Sequence, residues 1–240
     1  MIAGKKILAV VPARGGSKGI PDKNLKVVGG VSLVARVGDV LKELPEIDRA
    51  VVSTDSNQIA SVAMSAGISA PFRRPESISG DRVGDWEVLT HALLMMEEMD
   101  DTHYDVVLML QPTSPLRTSR DVRDCYTKLI NDDLDAVWTV SETDSKNHPL
   151  KQLTVDKDGV LGYYDPIGHS IIARQQLTTL YHRNGIAYAI SRSCLLEKKS
   201  IMGQRAAAVI VEGPHVSIDT LWDLALIEFI LGQSRLDASH

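Results

Sequence analysis

The apolar run Ile7–Val11 ends abruptly in a loop, Pro12–Asn24, that carries three glycines and the cations Arg14, Lys18 and Lys23. A run of that length and β-branching reads as a buried strand, and the glycines stop it. Few folds accept such a junction. A strand that opens into a glycine-rich basic loop and is followed by a helix belongs to an α/β sheet, whose ligand loops lie at the carboxyl ends of strands. Glycines let backbone N–H groups approach an anion closely while fixed cations neutralise it, so the loop is a candidate phosphate site. Spacing excludes the common nucleotide signatures: Gly15-Gly16-Ser17-Lys18-Gly19 is not G-x-G-x-x-G, and G-x-x-x-x-G-K-[ST] is absent.

The same rhythm repeats downstream. Leu33, Val34, Val37, Val40, Leu41 and Leu44 keep a helical period that Pro45 ends, and the short run Ala50–Thr54 leads into Asp55, a ligand contact or, as the favoured reading, the cap of a helix over 58–66 that Gly67 closes. A strand is expected over Ile68–Phe72, then a loop from Arg73 to Asp85. The helix after it, 86–99, aligns Trp86, Leu89, Leu93 and Met96, with its methionines as core filler and His91 as a satisfied structural histidine. Tyr104–Leu110 is apolar enough for a central strand, and it ends in a proline-stiffened turn, Gln111–Arg117, before a helix beginning near Ser119. Another strand follows over Asp135–Val140. These units imply a parallel sheet with helices on both faces, and both motif loops fall at strand carboxyl ends, where they can converge on one crevice.

From residue 142 to 180 helical periodicity disappears and turn signals accumulate, which reads as an excursion built on an extended hairpin. Strands return at Ile186–Ile190, behind Asn184-Gly185, and at Ala207–Val211. A last helix is expected over 220–231, and the residues after Gly232 read as a frayed or disordered tail.

The length of 240 residues fits a single domain, and 44% hydrophobic with 24% charged residues is ordinary for a globular chain. A net charge of −5 sets the basic loop against an acidic background, which disfavours a nucleic-acid binder and suits a small anion held locally. Cys125 and Cys194 lie far apart without metal-ligand companions, as expected for free thiols in a reducing cytosol. No run approaches the roughly 20 apolar residues of a membrane span, and Arg14 breaks the run behind Lys5-Lys6 too early for a signal peptide. A cytoplasmic protein without membrane contact is expected.

Read together, PARGGSKGIPDKN (12–24), VSTD (52–55), RRPE (73–76), LQPTSPLR (110–117), HPLK (148–151), RQQL…YHRNGIAY (174–188) and SIDT…DL (217–224) resemble, in order and spacing, the acylneuraminate cytidylyltransferases, or CMP-sialic acid synthetases. The resemblance implies a doubly wound α/β fold with a mostly parallel sheet, like the nucleotide-diphospho-sugar transferases, in which 142–180 is a protruding dimerisation arm of a homodimer. It implies joining of CMP from CTP to a nonulosonic acid, a nine-carbon 2-keto sugar acid, with release of pyrophosphate and with Mg²⁺ as cofactor.

Carried over by position, Arg14 and Lys18 are the triphosphate cations, with Gly15, Ser17 and the loop amides as further donors. Asn24, Arg74, Asp85 and Gln111 fall at the nucleotide; whether Arg73 or Arg74 faces inward stays open. Gln111, Lys151, Arg174, Asn184 and Tyr188 fall at the sugar acid, where cations supply charge-assisted hydrogen bonds to its carboxylate. Arg14, Lys18 and Asp219 form the catalytic set, with Asp219 as the metal ligand; Asp219 also fits as a helix N-terminal residue beside the T-x-x-D cap of Thr220 and Asp223. Two departures stand out: Ser217 replaces an aspartate common in relatives, and His182 replaces an arginine. A sugar other than plain N-acetylneuraminate, such as legionaminic or pseudaminic acid, is expected. A Kdo-type cytidylyltransferase and a non-catalytic sugar-nucleotide binder are the alternatives.

Overall fold

In β1 (Ile7–Pro12) side chains alternate between two cores, which is why the run shows no polar face. Ile7, Ala9 and Val11 enter one core and Leu8 and Val10 the other. The computed structural model describes residues 2–237, with side chains through residue 233. After β1 come the hairpin strands β2 (Val27–Val28) and β3 (Val31–Ser32), α1 (Leu33–Lys42), β4 (Arg49–Ser53), α2 (Asn57–Ser65), α3 (Asp85–Met99), β5 (Val106–Met109) and α4 (Ser119–Asn131). Then follow β6 (Ala136–Glu142), β7 (Leu153–Val155), β8 (Leu161–Tyr163), β9 (Tyr181–Ser191), α5 (Arg192–Leu196), β10 (Ala206–Ile210) and α6 (Leu221–Asp237).

Six strands form one sheet in the order β10-β6-β9-β5-β1-β4. Pairings of β1 with β4 and β5, and of β6 with β10, are parallel. The expectation of a mostly parallel sheet holds, with one insertion: β9 runs antiparallel between β5 and β6. The chain leaves β6 into the excursion and returns at the same end of the sheet, so β9 can only run back. Helices α1, α2 and α4 cover one face through Val34, Val37, Ile59, Val122 and Tyr126. The other face is covered by α3 and α5 through Leu89, Leu93, Met96 and Leu195. A third, smaller core of Ile20, Val28, Leu33, Ile218 and Ile227 fastens α6 to the segment after the glycine loop.

Three local expectations are corrected. Ile68–Phe72 is not a strand: Ser69 alone bridges to Val51, and Pro71, lacking an N–H, cannot extend the ladder. Residues 233–237 are not a frayed tail but the last part of α6; Gly232 weakens a helix by about 1 kcal/mol without stopping it, and Gln233, Arg235 and Leu236 favour helix. The end of that expected tail, 238–240, lies outside the described residues. The excursion does contain the expected hairpin, β7 against β8, flanked by 3-10 turns. No helix among the described residues is long and apolar enough to cross a membrane.

Candidate active site

The carboxyl ends of β1, β4 and β5 point to one side of the sheet, and a cleft of about 480 Å³ opens there. Arg14, Ser17 and Lys18 line it from the glycine loop, Gln111, Pro112 and Thr113 from the turn after β5, and Ser217 and Asp219 from the segment before α6. Arg74 and Asp81 close it from the loop that precedes α3, and Asp85 from the first residue of that helix. The two motif loops therefore meet, as their positions at strand ends require.

The glycine loop is held in shape by the protein itself. Gly16 sits at φ +62°, a conformation that glycine reaches without strain. Asn24, buried, donates its amide N–H to the Arg14 carbonyl at 3.0 Å. The Gly15 N–H is donated to the Asp55 carboxylate at 2.7 Å, so that amide is not free for a phosphate. This also corrects the reading of Asp55 as a helix cap. Ser56 caps α2 by accepting the Ile59 N–H, and Asp55, one residue earlier, anchors the loop instead.

The charges of the cleft are arranged around one carboxylate. Asp81 accepts Arg14 Nη2 at 2.6 Å and is also bridged by the Lys18 ammonium. These contacts, first from Lys18 and then from Arg14, hold Asp81 below the usual carboxylate range. Lys23 ties the two sides of the cleft, donating to the Ile218 carbonyl and to Asp219, both at 3.0 Å. Asp219 is 73% exposed at its side chain. Its neighbour Asp223 is fully engaged, accepting the N–H groups of Asp219 and Thr220 and the Thr220 hydroxyl in the anticipated cap.

Arg74 faces inward, which settles the choice left open between the two arginines: Arg73 is exposed and donates to Asn57 and to the Phe72 carbonyl. Only 6% of Arg74 is exposed, yet its Nε and Nη2 have no hydrogen-bond partner. Burial lowers its pKa, with Asp55 opposing and Arg14 reinforcing the shift. A buried donor without an acceptor costs about 1–3 kcal/mol, more when charged, so Arg74 carries an unmet hydrogen-bonding demand at the cleft. Burial raises the Asp85 carboxyl, moderated by Arg183 and reinforced by Glu87. His91, behind this loop, meets the edge of Phe72 with rings 5.2 Å apart, and its Nδ1 has no partner, so it is not the satisfied histidine expected.

Four sequence-predicted residues lie elsewhere. Asn184 is buried in the wall behind the cleft, its Oδ1 accepting Thr139 Oγ1 and the Ile186 N–H and its Nδ2 donating to Ser141. Tyr188 is a core residue, 2% exposed, whose hydroxyl accepts the Gly185 N–H at 2.9 Å. Arg174 lines a second cavity of about 570 Å³ in the excursion, with His148, Glu142 and Thr179. Lys151 lines neither cavity. Sequence reasoning passed over Asp81 and Arg117 and gave Asp55 another role. The first was visible as an acidic residue in a loop opposite lone cations; the other two act through backbone contacts that leave no periodic signal.

The model of a protein family described as cytidylyltransferase matches residues 8–237. The CMP-N,N'-diacetyllegionaminic acid synthase of Legionella pneumophila is 31% identical over 94% of this chain and 96% of its own length. The pseudaminic acid cytidylyltransferase of Campylobacter jejuni is 27% identical over 94% and 96%. Among solved structures, a CMP:2-keto-3-deoxy-manno-octonic acid synthetase complexed with CTP superposes with a TM-score of 0.68 at 18% identity, covering 96% of this chain and 100% of that one, which shows a common fold. With a mostly parallel sheet, a cleft at its strand carboxyl ends, and matches that run nearly end to end, the chain belongs to the cytidylyltransferase family and is a nucleotidyltransferase.

Proposed function

We propose that the chain joins CMP from CTP to the anomeric hydroxyl of a nonulosonic acid and releases pyrophosphate. One observation carries this reading: Arg14 and Lys18 converge on a single anionic group beside the buried, unpartnered guanidinium of Arg74. Cations that can share one carboxylate can share a triphosphate, which brings more charge and more acceptor oxygens than Asp81. In this reading CTP displaces Asp81, Lys18 and Arg14 neutralise the phosphates, and Ser17 adds a donor. The sugar hydroxyl attacks the α-phosphorus in line, and the bond to the bridging oxygen breaks. Catalysis then rests on positioning and charge neutralisation. Asn24, Arg74, Asp85 and Gln111 serve the nucleoside end.

The donor set beside the phosphates fits Mg²⁺: Asp219 and Ser217 offer hard oxygens on the cleft, and Mg²⁺ commonly takes one or two carboxylates and completes its shell with phosphate oxygens and water. Bound there, the ion supplies charge neutralisation at the phosphates.

The excursion is best read as the arm of a homodimer. Leu153, Val155, Leu161, Tyr163 and Ile172 are between 48% and 93% exposed, an apolar surface that a second copy would cover. Arg174 and Lys151 would then serve the sugar acid from a partner's arm rather than within one chain. A di-amino sugar of the legionaminate or pseudaminate type is favoured by the relatives' activities and by His182, whose ring nitrogen meets Thr143 Oγ1 at 3.1 Å. A cytoplasmic location is part of this proposal, since CTP and the sugar acid are small water-borne metabolites.

Pyrophosphate release on mixing the protein with CTP, Mg²⁺ and a panel of sugar acids tests the reading, with product mass identifying the acceptor. Turnover only with the eight-carbon acid Kdo would transfer the assignment to that class. CTP binding without turnover across the panel would make the chain a non-catalytic relative.

A further inference from the structure

Arg117 stands in three unfavourable circumstances at once. It is 6% exposed, no carboxylate among the described residues forms an ion pair with it, and it immediately precedes Thr118, the cap of α4, where the helix dipole repels a cation. Burial lowers its pKa, with Asp121 opposing at a distance. Apolar side chains fill such a position at less cost, so the guanidinium is held for what it contacts.

What it contacts is a break in the sheet. Trp138 pairs with Tyr188, but two residues later Val140 pairs with Arg183, so residues 184–187 of β9 bulge away from β6. Their carbonyls lose ladder partners and each finds another. The Asn184 carbonyl accepts Ser114 Oγ at 2.7 Å, and the Ala187 carbonyl lies 2.9 Å from Thr139 Oγ1, whose single proton it shares with Asn184 Oδ1. Arg117 serves the two between them: Nη2 donates at 2.9 Å to the Gly185 carbonyl, which also accepts the Gln111 N–H at 3.3 Å, and Nε donates to the Ile186 carbonyl, where it is the partner that replaces the ladder. Nη2 also donates to the Gln111 carbonyl at 2.6 Å. One planar fork thus joins the bulge of β9 to the first residue of the turn after β5, a geometry that a lysine ammonium cannot reproduce.

We infer that Arg117 is a positioning residue for the transfer: by fastening the turn after β5 to the β9 bulge, it fixes Gln111 on the cleft wall between the nucleotide and sugar ends. The inference rests on the reading under Proposed function. It places no substrate contact on Arg117 itself, which lies outside the cleft lining.

The test compares Arg117→Lys, Gln111→Ala and the double variant, assayed well below each melting temperature with CTP, Mg²⁺ and the best sugar acid. Arg117→Lys is expected to lower kcat about 10–100-fold while KM for CTP moves less than about threefold, because the glycine loop opposite is untouched. In the Gln111→Ala background the same change is expected to add almost nothing, since Arg117 acts through Gln111. Additive losses, or a lowered melting temperature with kcat intact, would overturn the inference. If Arg117→Lys does not fold, Ser114→Ala, which cuts another tie to the same bulge, is expected to give a smaller loss of the same pattern; an unchanged kcat there counts against it. Hydrogen exchange supplies a readout independent of turnover: faster exchange confined to residues 110–117 and 184–187 supports the inference, and acceleration spread over the sheet refutes it. Should the unaltered protein turn over no sugar acid, the cytidylyltransfer reading falls, while exchange still decides whether Arg117 fixes this wall.

Discussion

The two walls of the cleft are built on opposite plans. On the glycine-loop wall the polar groups are cations on flexible side chains, with Lys18 81% exposed, and their partner is a carboxylate on another loop. On the wall formed by the turn after β5 and the β9 bulge, polar groups are buried and satisfied from within the protein: Arg117 by backbone carbonyls, Asn184 by the Thr139 and Ser141 hydroxyls and the Ile186 N–H. The first plan permits exchange of partners, because a surface ion pair contributes only about 0–1 kcal/mol and a polyphosphate can replace it. The second resists exchange, since a buried partner lost leaves an unsatisfied group. The proposed transfer uses both: a wall that would hand its cations to an arriving triphosphate, and one that would keep the acceptor end still while the α-phosphorus is attacked.

The largest effect separating the walls is expected at Lys18. Lys18→Ala should lower kcat about 10²–10³-fold, the usual loss for one donor to developing charge, with little change in melting temperature because the side chain is exposed. Steady-state kinetics beside a thermal melt check this. A large drop in stability with kcat preserved would mean that the loop is a structural element and not the exchanging wall.

Gly185→Ala attacks the other wall and should show the reverse signature. Gly185 sits at φ +71°, and a Cβ there would lie 2.5 Å from Gln111 Oε1 and 2.6 Å from Ser114 Oγ. Strain of this kind is worth about 1–3 kcal/mol, or a fall of roughly 3–10 °C in Tm for a chain of this size, and Gln111 must move as well. Calorimetry should find the protein destabilised, with kcat reduced even where it is fully folded. Unchanged stability would show that the bulge is soft and remove the contrast.

The exchanging wall was the more legible of the two in the sequence. Arg14, Lys18, Arg74 and Asp219 announce themselves as charges in loops at strand ends, and the alternation of strands and helices, which depends on local apolar period, placed those loops on one side of the sheet. The fixed wall was nearly silent. Arg117 reads as one more polar residue before a helix, and Asn184 was assigned to the sugar acid, because their partners are groups of a bulge and its neighbouring strand, a feature set by tertiary register and not by composition. Asp55 was misread for a related reason: an acidic residue just before a helix is usually a cap, and here Ser56 took that role and freed Asp55 to hold Gly15. The direction of β9 was hidden by the excursion, whose length does not say at which end of the sheet it returns.

A smaller effect is expected from Asp81→Asn. Removing the competing carboxylate should lower KM for CTP by about 2–10-fold, the range that one or two exposed ion pairs allow, and it should weaken with salt. A raised KM would mean that Asp81 helps to bind nucleotide instead of yielding to it.

The smallest and most direct comparison is between two carboxylates held below their ordinary range for different reasons. Asp135, at the opposite end of the sheet, is lowered to about 2, first by the Arg205 backbone N–H, then by Lys198 and the Gln204 N–H. Asp81 is lowered by side chains alone, Lys18 and then Arg14. Both groups favour the folded state when ionised, so each contributes stability above an ordinary carboxylate pKa near 4 that is lost as pH falls through its own lowered value. Backbone donors have nowhere to go, whereas the cations on Asp81 do. Carboxyl ¹³C titrations with and without CTP should therefore leave Asp135 at about 2 and move Asp81 upward, with proton uptake on nucleotide binding confined to pH values below the ordinary carboxylate range. If Asp81 keeps its low value with CTP bound, the cations have not been handed over, and the triphosphate is held by some other part of the cleft.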